Sequence, residues 1–233
     1  MLYPENIRKI KKKPNYRATK FIEDFLINFF PQYKESSQYK ESISPHKKLP
    51  FNYYPESSKI RIIGRKPKIN FYEKRCLLEK LKERIDHLKN NNDIELSDIE
   101  IISCLPDSID EPSHSLLLEK EDDSIPYQYI LKELGGYSLK RLTGEYIDGR
   151  KVYKEDNGIF CESITRYKGM ESPVILVIDV ENPDDFYSDD WIQLLYCALT
   201  RAKMHMEIFV CNEGNMSQCF KDVDKIINKN ECV

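Results

Sequence analysis

An arginine at the junction between a helix-like and a strand-like segment is the side chain of this sequence best suited to chemistry. Arg201 follows the apolar run WIQLLYCALT and comes shortly before the strand-like run MEIFVC. A charge at such a junction is costly to bury unless a negative group meets it. A guanidinium stays charged and can bind two phosphate oxygens at once, so it suits stabilisation of a transferring phosphoryl group. The alternative is a helix-end cation favoured only by the helix dipole.

Metal chemistry is not expected from the cysteines, histidines and aspartates. The seven cysteines form no C-x-x-C pair, and the four histidines are scattered. Several cysteines lie inside apolar runs, which is typical of reduced core cysteines and predicts a cytoplasmic protein. The aspartates 184, 185, 189 and 190 precede or open a predicted helix, where acidic residues stabilise the N-terminus.

The elements around Arg201 alternate between strands and helices. We predict strands at 158–164, 173–180 and 206–211, and a helix at 191–202 between the last two. The run VILVIDV is apolar almost throughout, as in a strand covered on both faces. This alternation predicts an α/β fold with a mainly parallel sheet and helices on both faces.

The rest of the chain extends this pattern with less regular segments between the elements. The patterns predict, in order, a basic lead-in (1–14), a helix from Asn15 that ends at Pro31, a solvated loop (31–57), a strand (59–64), a helix (72–90), a strand (98–104), a helix ended by glycines (124–136), a polar irregular segment (137–157) and a C-terminal tail or helix (212–233). We expect residues 1–233 to form a single domain.

Composition sets outer limits on function. A net charge of -3 argues against a surface devoted wholly to nucleic acid, although 36 basic residues allow local basic patches. There is no run of eighteen apolar residues, so we expect no membrane span. The basic N-terminus lacks the apolar region of a secretory signal.

Three segments, in order, resemble motifs of superfamily 1 DNA helicases of the UvrD/Rep/PcrA kind. PNYRATKFIEDFL (14–26) resembles motif IV, SITRYKGMESPVILVIDV (163–180) resembles motif V, and QLLYCALTRAK (193–203) resembles motif VI. Motif VI is highly specific, motif V fairly specific, and motif IV would be weak alone. The resemblance spans roughly residues 14–211 and implies the second, C-terminal RecA-like domain of such an enzyme.

The resemblance implies a role for five residues at the nucleotide. Arg201 would be an arginine finger, and Arg17 a second catalytic arginine. Glu171 would contact the ribose, Gly169 would allow close backbone approach beside it, and Tyr196 would seat the motif VI helix. The alternatives from the residues themselves are a structural salt bridge for Arg17 and a solvated loop acid for Glu171.

The resemblance also implies a path for single-stranded DNA, with some departures from the family pattern. Thr165, Arg166 and Lys168 match the motif V surface that links nucleotide state to DNA. Thr165 stands where family members commonly have histidine, which puts one DNA contact in doubt. Met170 and Cys197 replace leucine and valine conservatively.

The phosphate-binding parts of a helicase motor have no counterpart in the sequence. There is no G-x-x-x-x-G-K-[ST] segment, so no P-loop cradle or magnesium-holding hydroxyl is expected. ATP and Mg²⁺ would therefore bind only together with a P-loop partner, in the same longer protein or a separate chain, and the chain alone would not hydrolyse ATP.

Two classes of function stay open from the sequence. One is the C-terminal motor half of an ATP-dependent DNA helicase or translocase. The other is a non-catalytic RecA-like binding module, derived from a helicase, that binds a protein or single-stranded DNA.

Overall fold

The computed structural model describes most of the chain between residues 19 and 229. The described residues are 19–35, 64–73, 76–92, 94–104, 118–119, 128–129, 133–140, 142–147, 150–153, 158–167, 169–181 and 188–229.

Helices and short strands alternate along the described chain. The helices are α1 (Lys20–Glu35), α2 (Leu77–Asn92), α3 (Ile164–Tyr167), α4 (Ser188–Leu199) and α5 (Ser217–Lys229), with a 3-10 turn at Leu96–Asp98. The strands are β1 (Lys68–Tyr72), β2 (Ile99–Ser103), β3 (Leu118–Glu119), β4 (Gln128–Tyr129), β5 (Glu133–Leu134), β6 (Tyr137–Lys140), β7 (Leu142–Ile147), β8 (Arg150–Tyr153), β9 (Ile159–Ser163), β10 (Ser172–Ile178) and β11 (Ala202–Cys211).

The largest sheet of the described residues has seven strands in the order β1-β11-β10-β2-β9-β6-β5. Every neighbouring pair from β1 to β6 is parallel, and only β5 runs antiparallel to its neighbour β6. Two separate antiparallel pairs are formed by β3 with β4 and by β7 with β8. The mainly parallel sheet predicted from the sequence is confirmed.

Both faces of this sheet are covered by helices, as strand β10 shows most clearly. Its residues Ile175 and Val177 pack in a core with helices α1, α4 and α5. The alternating residues Val174, Leu176 and Ile178 pack in a second core with helix α2. A strand with apolar partners on both sides needs an almost unbroken apolar sequence, which explains the run VILVIDV.

The predicted helix over 124–136 is wrong, and so is the irregular segment over 137–157. Within these ranges the described residues form strands β4 to β8. Gly135 and Gly136 have φ of 55° and 96° and connect β5 to β6. Two positive φ values in a row are typical of a hairpin turn. A glycine pair of this kind can be mistaken for a helix end, because glycine serves both structures.

The start of the predicted helix over 72–90 is also wrong. Tyr72 ends strand β1, and helix α2 begins at Leu77. The strand escaped notice because it is short and contains the polar residues Lys68 and Asn70. Residues 59–63 of the predicted strand 59–64 lie outside the described residues, and Gly64 belongs to no strand.

Helix α1 continues past Pro31 to Glu35, so the predicted end of this helix is wrong. Proline removes one backbone hydrogen bond of a helix. The aromatic residues just before it pack in the core, where the rings of Phe29 and Phe220 lie 4.9 Å apart. Tertiary packing of an apolar face stabilises a helix more than local propensity does. Residues 31–35 of the predicted loop are thus helical, and 36–57 lie outside the described part.

A buried polar cluster fixes α2 to strand β11. Arg84 of α2 donates from Nε and Nη2 to the two carboxylate oxygens of Glu207, at 2.8 and 2.7 Å. Asn70 of β1 donates to Glu207 Oε2 at 2.8 Å, and His205 Nε2 lies 3.2 Å from Oε1. The Glu207 side chain is fully buried, so these partners replace the water it has lost.

Candidate functional site

Arg201 lies directly after helix α4, at the amino end of strand β11. Its Nε donates to the carbonyl oxygen of Cys197 at 2.9 Å. The hydroxyl of Thr200 donates to the carbonyls of Tyr196 and Cys197, at 2.9 and 3.1 Å. The Tyr196 carbonyl also accepts the backbone N–H of Thr200 at 3.1 Å, whereas the Arg201 N–H turns to the carbonyl of Ala198 at 3.2 Å. The side-chain donors therefore serve the Cys197 carbonyl at the end of the helix. The bond to Cys197 uses Nε and does not consume the two terminal nitrogens of the guanidinium fork.

Glu171 lies beside Arg201, although the two are far apart in the sequence. Glu171 directly precedes β10, and the N–H of Ser172 donates to the Arg201 carbonyl at 3.3 Å. Ser172 is also in register with Ala202. Parallel pairing of β10 with β11 therefore brings the middle of motif V and the end of motif VI together where these two strands begin, at one edge of the sheet.

The Glu171 carboxylate also contacts a cation of the neighbouring strand. Lys203 Nζ lies 3.7 Å from Glu171 Oε2, and the lysine side chain is about half exposed. The Glu171 side chain is partly buried, but an ion pair at this distance with a half-exposed lysine contributes little to stability. The contact nevertheless places a second positive group next to Arg201 at the same edge.

Gly169 stands in the turn between α3 and β10 with a φ of 93°. Side chains other than glycine rarely adopt this conformation. A Cβ atom at Gly169 would meet no atom within 4 Å, so the backbone angle rather than crowding requires glycine. The open space in front of this turn is compatible with close approach of a ligand to the backbone.

Tyr196 connects the motif VI helix to helix α1. Its ring is half-buried and lies 5.6 Å from the ring of Phe30. Burial raises the pKa of its hydroxyl. The contact with Phe30 is compatible with the predicted role of Tyr196 in seating helix α4. Its predicted proximity to a nucleotide stays a prediction.

Thr165 and Arg166 lie on α3, near the carboxyl end of β9, away from the edge that carries Glu171. The Thr165 hydroxyl is 2.9 Å from the hydroxyl of Ser163. Arg166 Nη1 lies 3.3 Å from Oε2 of Glu162, whose side chain is fully buried. The predicted DNA-contacting arginine thus has an internal carboxylate partner.

Two predicted site residues, Arg17 and Lys168, lie outside the described residues, and their roles stay predictions. The nearest described residue to Arg17 is Thr19, which is buried at the start of α1. Gly64 packs closely against Thr19, because a Cβ atom added at Gly64 would lie only 2.3 Å from the Thr19 methyl group.

Tyr167, which the sequence did not single out, ends α3 two residues before Gly169. Tyr167 is fully buried, and its hydroxyl donates to the carboxylate of Glu100 on β2. Burial raises the pKa of Glu100, while the bond from Tyr167 opposes this shift. A large aromatic residue inside the polar stretch TRYKG was the available signal.

The described residues contain no group of three or more histidine, cysteine, aspartate or glutamate side chains that could hold a metal ion. None of their helices has both the length and the apolar character needed to cross a membrane.

Part of the chain is similar to a known protein family. Residues 158–208 match the UvrD-like helicase C-terminal domain. This range contains the whole motif V segment (163–180) and the whole motif VI segment (193–203), so the resemblance seen in the sequence is confirmed. A search of curated proteins found no match to the chain.

A solved structure with the same fold extends the comparison. It is the C-terminal domain of a possible DNA helicase from Lactobacillus plantarum WCFS1, with a TM-score of 0.50 and 14% sequence identity. The alignment covers 91% of this chain and 96% of that chain. At this identity the likeness concerns the fold, which is that of an α/β helicase C-terminal domain.

Proposed function

We propose that this chain, of which residues 158–208 match the UvrD-like helicase C-terminal domain, is the C-terminal motor half of an ATP-dependent DNA helicase or translocase. It would close on ATP and Mg²⁺ held by a P-loop domain or chain. Arg201, with Arg17 as a second cation, would stabilise the transferring phosphoryl group. Glu171 would contact the ribose.

The observation that carries the proposal is the meeting of motifs V and VI at one sheet edge. The Ser172–Arg201 backbone bond holds Glu171 and Arg201 at the starts of neighbouring strands. A carboxylate suits ribose hydroxyls, and a guanidinium fork suits phosphate oxygens. One nucleotide presented at this edge could meet both side chains.

The helix cap made by Arg201 is compatible with this role. A finger must be pre-oriented, because the gain comes from charge that is already in place in the transition state. The bond from Nε to Cys197 restricts rotation of the guanidinium. Lys203 adds positive charge beside it and would favour the approach of a polyanion.

A path for single-stranded DNA is the second part of the proposal. Thr165, Arg166 and Lys168 would supply its motif V portion, as the family pattern implies. The exposed Thr165 and the partly exposed Arg166 side chain support such a surface. Binding a DNA phosphate would require Arg166 to share its charge with Glu162.

A non-catalytic RecA-like binding module is the alternative function, and specific contacts favour it. Arg201, Arg166 and Glu171 all have partners within the chain. Residues kept for packing or local ion pairing would show the same contacts without any nucleotide.

The test of the proposal is the pair Arg201→Lys and Arg201→Ala in a complex with the P-loop half. Both should lower ATP hydrolysis, the alanine variant by roughly 10³ to 10⁵-fold, since lysine lacks the bidentate fork and alanine the charge. The melting temperature should change little. The chain without its partner should hydrolyse no ATP and serves as the blank.

The alternative makes opposite predictions for the same variants. If both variants hydrolyse ATP at the normal rate, or if Arg201→Ala mainly unfolds the domain, then Arg201 is a structural helix cap. The binding-module function would then be preferred.

A further inference from the structure

Tyr167 lies within motif V at the end of helix α3, and its ring, carbonyl and hydroxyl each have a partner. Its side chain is fully buried, and its ring lies 5.6 Å from the ring of Phe160 on β9. Its carbonyl oxygen accepts the N–H of Met170 at 3.0 Å, which closes the turn through Gly169. Any movement of Tyr167 would therefore move the turn that leads to Glu171.

The hydroxyl of Tyr167 is bound to a carboxylate of the central strand. It donates to Oε2 of Glu100 on β2. A buried tyrosine needs a partner for its hydroxyl, and a carboxylate partner makes a stronger bond than a neutral one. The bond joins the end of α3 to strand β2 of the sheet. It therefore fixes the position of the connection between α3 and β10 relative to the sheet.

Further hydrogen bonds connect the start of β2 to Arg201 through the amino ends of β10 and β11. Ser172 donates from its hydroxyl to the carbonyl of Asp98, just before β2, at 3.0 Å. Its backbone N–H donates to Arg201. Lys203 contacts Glu171 and also acts electrostatically on Glu100. The polar contacts thus run from β2 through β10 to β11.

We propose that Tyr167 is a positioning residue that, through its bond to Glu100, holds the turn Gly169–Glu171 opposite Arg201. The inference rests on the proposed function for the role of Glu171 toward a nucleotide. The anchoring of the turn is a property of the chain itself and can be measured without any partner.

The test is Tyr167→Phe, which keeps the ring and removes only the hydroxyl. Tyr137→Phe is the matched control, because Tyr137 donates in the same way to Asp86 Oδ1, at 2.5 Å, on the other side of the sheet. Glu100→Gln is the conservative variant, since its amide oxygen can still accept from Tyr167. Amide hydrogen exchange and melting temperature are followed for all three in the full chain.

We expect Tyr167→Phe to speed exchange of the amides at 169–172 by roughly 10-fold or more, as for loss of one hydrogen bond to a charged group. Exchange in α2 and α5 should stay unchanged. Tyr137→Phe should leave residues 169–172 at the wild-type rate, and Glu100→Gln should exchange more slowly there than Tyr167→Phe. If Tyr167→Phe speeds exchange equally throughout the protein, or leaves exchange at residues 169–172 unchanged, then Tyr167 does not anchor the turn.

Hydrolysis by the complex with the P-loop half separates this inference from the proposed function. Tyr167→Phe should lower kcat/KM for ATP by about 5-fold or more, while Tyr137→Phe should not. Faster exchange without a change in kcat/KM would overturn the positioning of a nucleotide contact. If Arg201→Ala hydrolyses ATP normally, the proposed function itself is wrong, and exchange alone then decides whether Tyr167 holds the turn.

Discussion

Removing the charge of Glu207 should destabilise the protein far more than removing an exposed charge close by. Burial alone would raise the pKa of Glu207, but hydrogen bonds from Arg84, His205 and Asn70 lower it to about 2, against an ordinary value of 4.5. A difference of this size corresponds to about 3 kcal/mol in favour of the ionised folded state. Breaking a buried ion pair costs roughly 3–5 kcal/mol, which agrees in size.

Glu207→Gln is the perturbation, and Glu83→Gln is its matched control. Glu83 pairs with Lys80 at 2.7 Å, but both side chains are substantially exposed. Exposed pairs contribute roughly 0–1 kcal/mol. Urea unfolding of the full chain at pH 7 should show a loss of about 3 kcal/mol for Glu207→Gln and less than about 1 kcal/mol for Glu83→Gln.

The dependence on pH provides a second measurement of the same contribution. Because the folded pKa of Glu207 is lowered, its stabilisation is present above pH 4.5 and is lost as the pH falls toward 2. The difference between wild type and Glu207→Gln should shrink over this window. Equal stability of the two proteins at pH 7, or a difference that does not change with pH, would refute the reasoning.

Two further predictions concern a buried acid and two glycines. Burial raises the pKa of Glu181 to about 7, with Asp179 adding to the shift and the bond from the Cys211 N–H opposing it. A pKa that is raised in the folded state lowers the free energy of unfolding as the pH rises from about 4.5 to 7. Urea unfolding should therefore show Glu181→Gln as more stable than wild type at pH 8, by up to about 3 kcal/mol. At pH 4 the variant should show no such gain. Lower stability of this variant at pH 8 would contradict the assignment. Gly64→Ala adds a Cβ 2.3 Å from Thr19, whereas Gly169→Ala meets open space, and both have positive φ. Thermal unfolding should therefore show Gly64→Ala as less stable than Gly169→Ala by roughly 1–3 kcal/mol, the cost of overpacking, and equal losses would exclude a packing effect.

The sequence predicted best those elements whose local pattern and tertiary surroundings agree. Strand β10 is an example, because a run that is apolar on both sides matches a strand that is buried on both sides. Prediction failed at β5 and β6, where the Gly135–Gly136 pair fits a helix end and a hairpin turn equally well. It failed again at Pro31, since the packing of Phe29 and Phe30 against distant residues outweighs the lost backbone bond.

Within the candidate site, the sequence predicted which side chains could do chemistry but not which groups those side chains contact. The apolar surroundings of Arg201 identified it as a residue in need of a partner. Its bond to Cys197 and the presence of Lys203 beside Glu171 depend on where the ends of β10 and β11 meet. The Tyr167–Glu100 bond joins two segments with no shared sequence pattern.

The α/β class and the covered strand β10 were predictable because hydrophobic periodicity is a local property of the sequence. Arg201 was a candidate from its charge in apolar surroundings, whereas Glu171 and the motifs were candidates through the resemblance to a known family. The fold was needed to place Glu171 and Arg201 at one edge, to pair Arg166 with a buried carboxylate, and to bury Glu207 against Arg84. Those facts depend on strand order, register and burial, which arise when distant segments pack and exclude water.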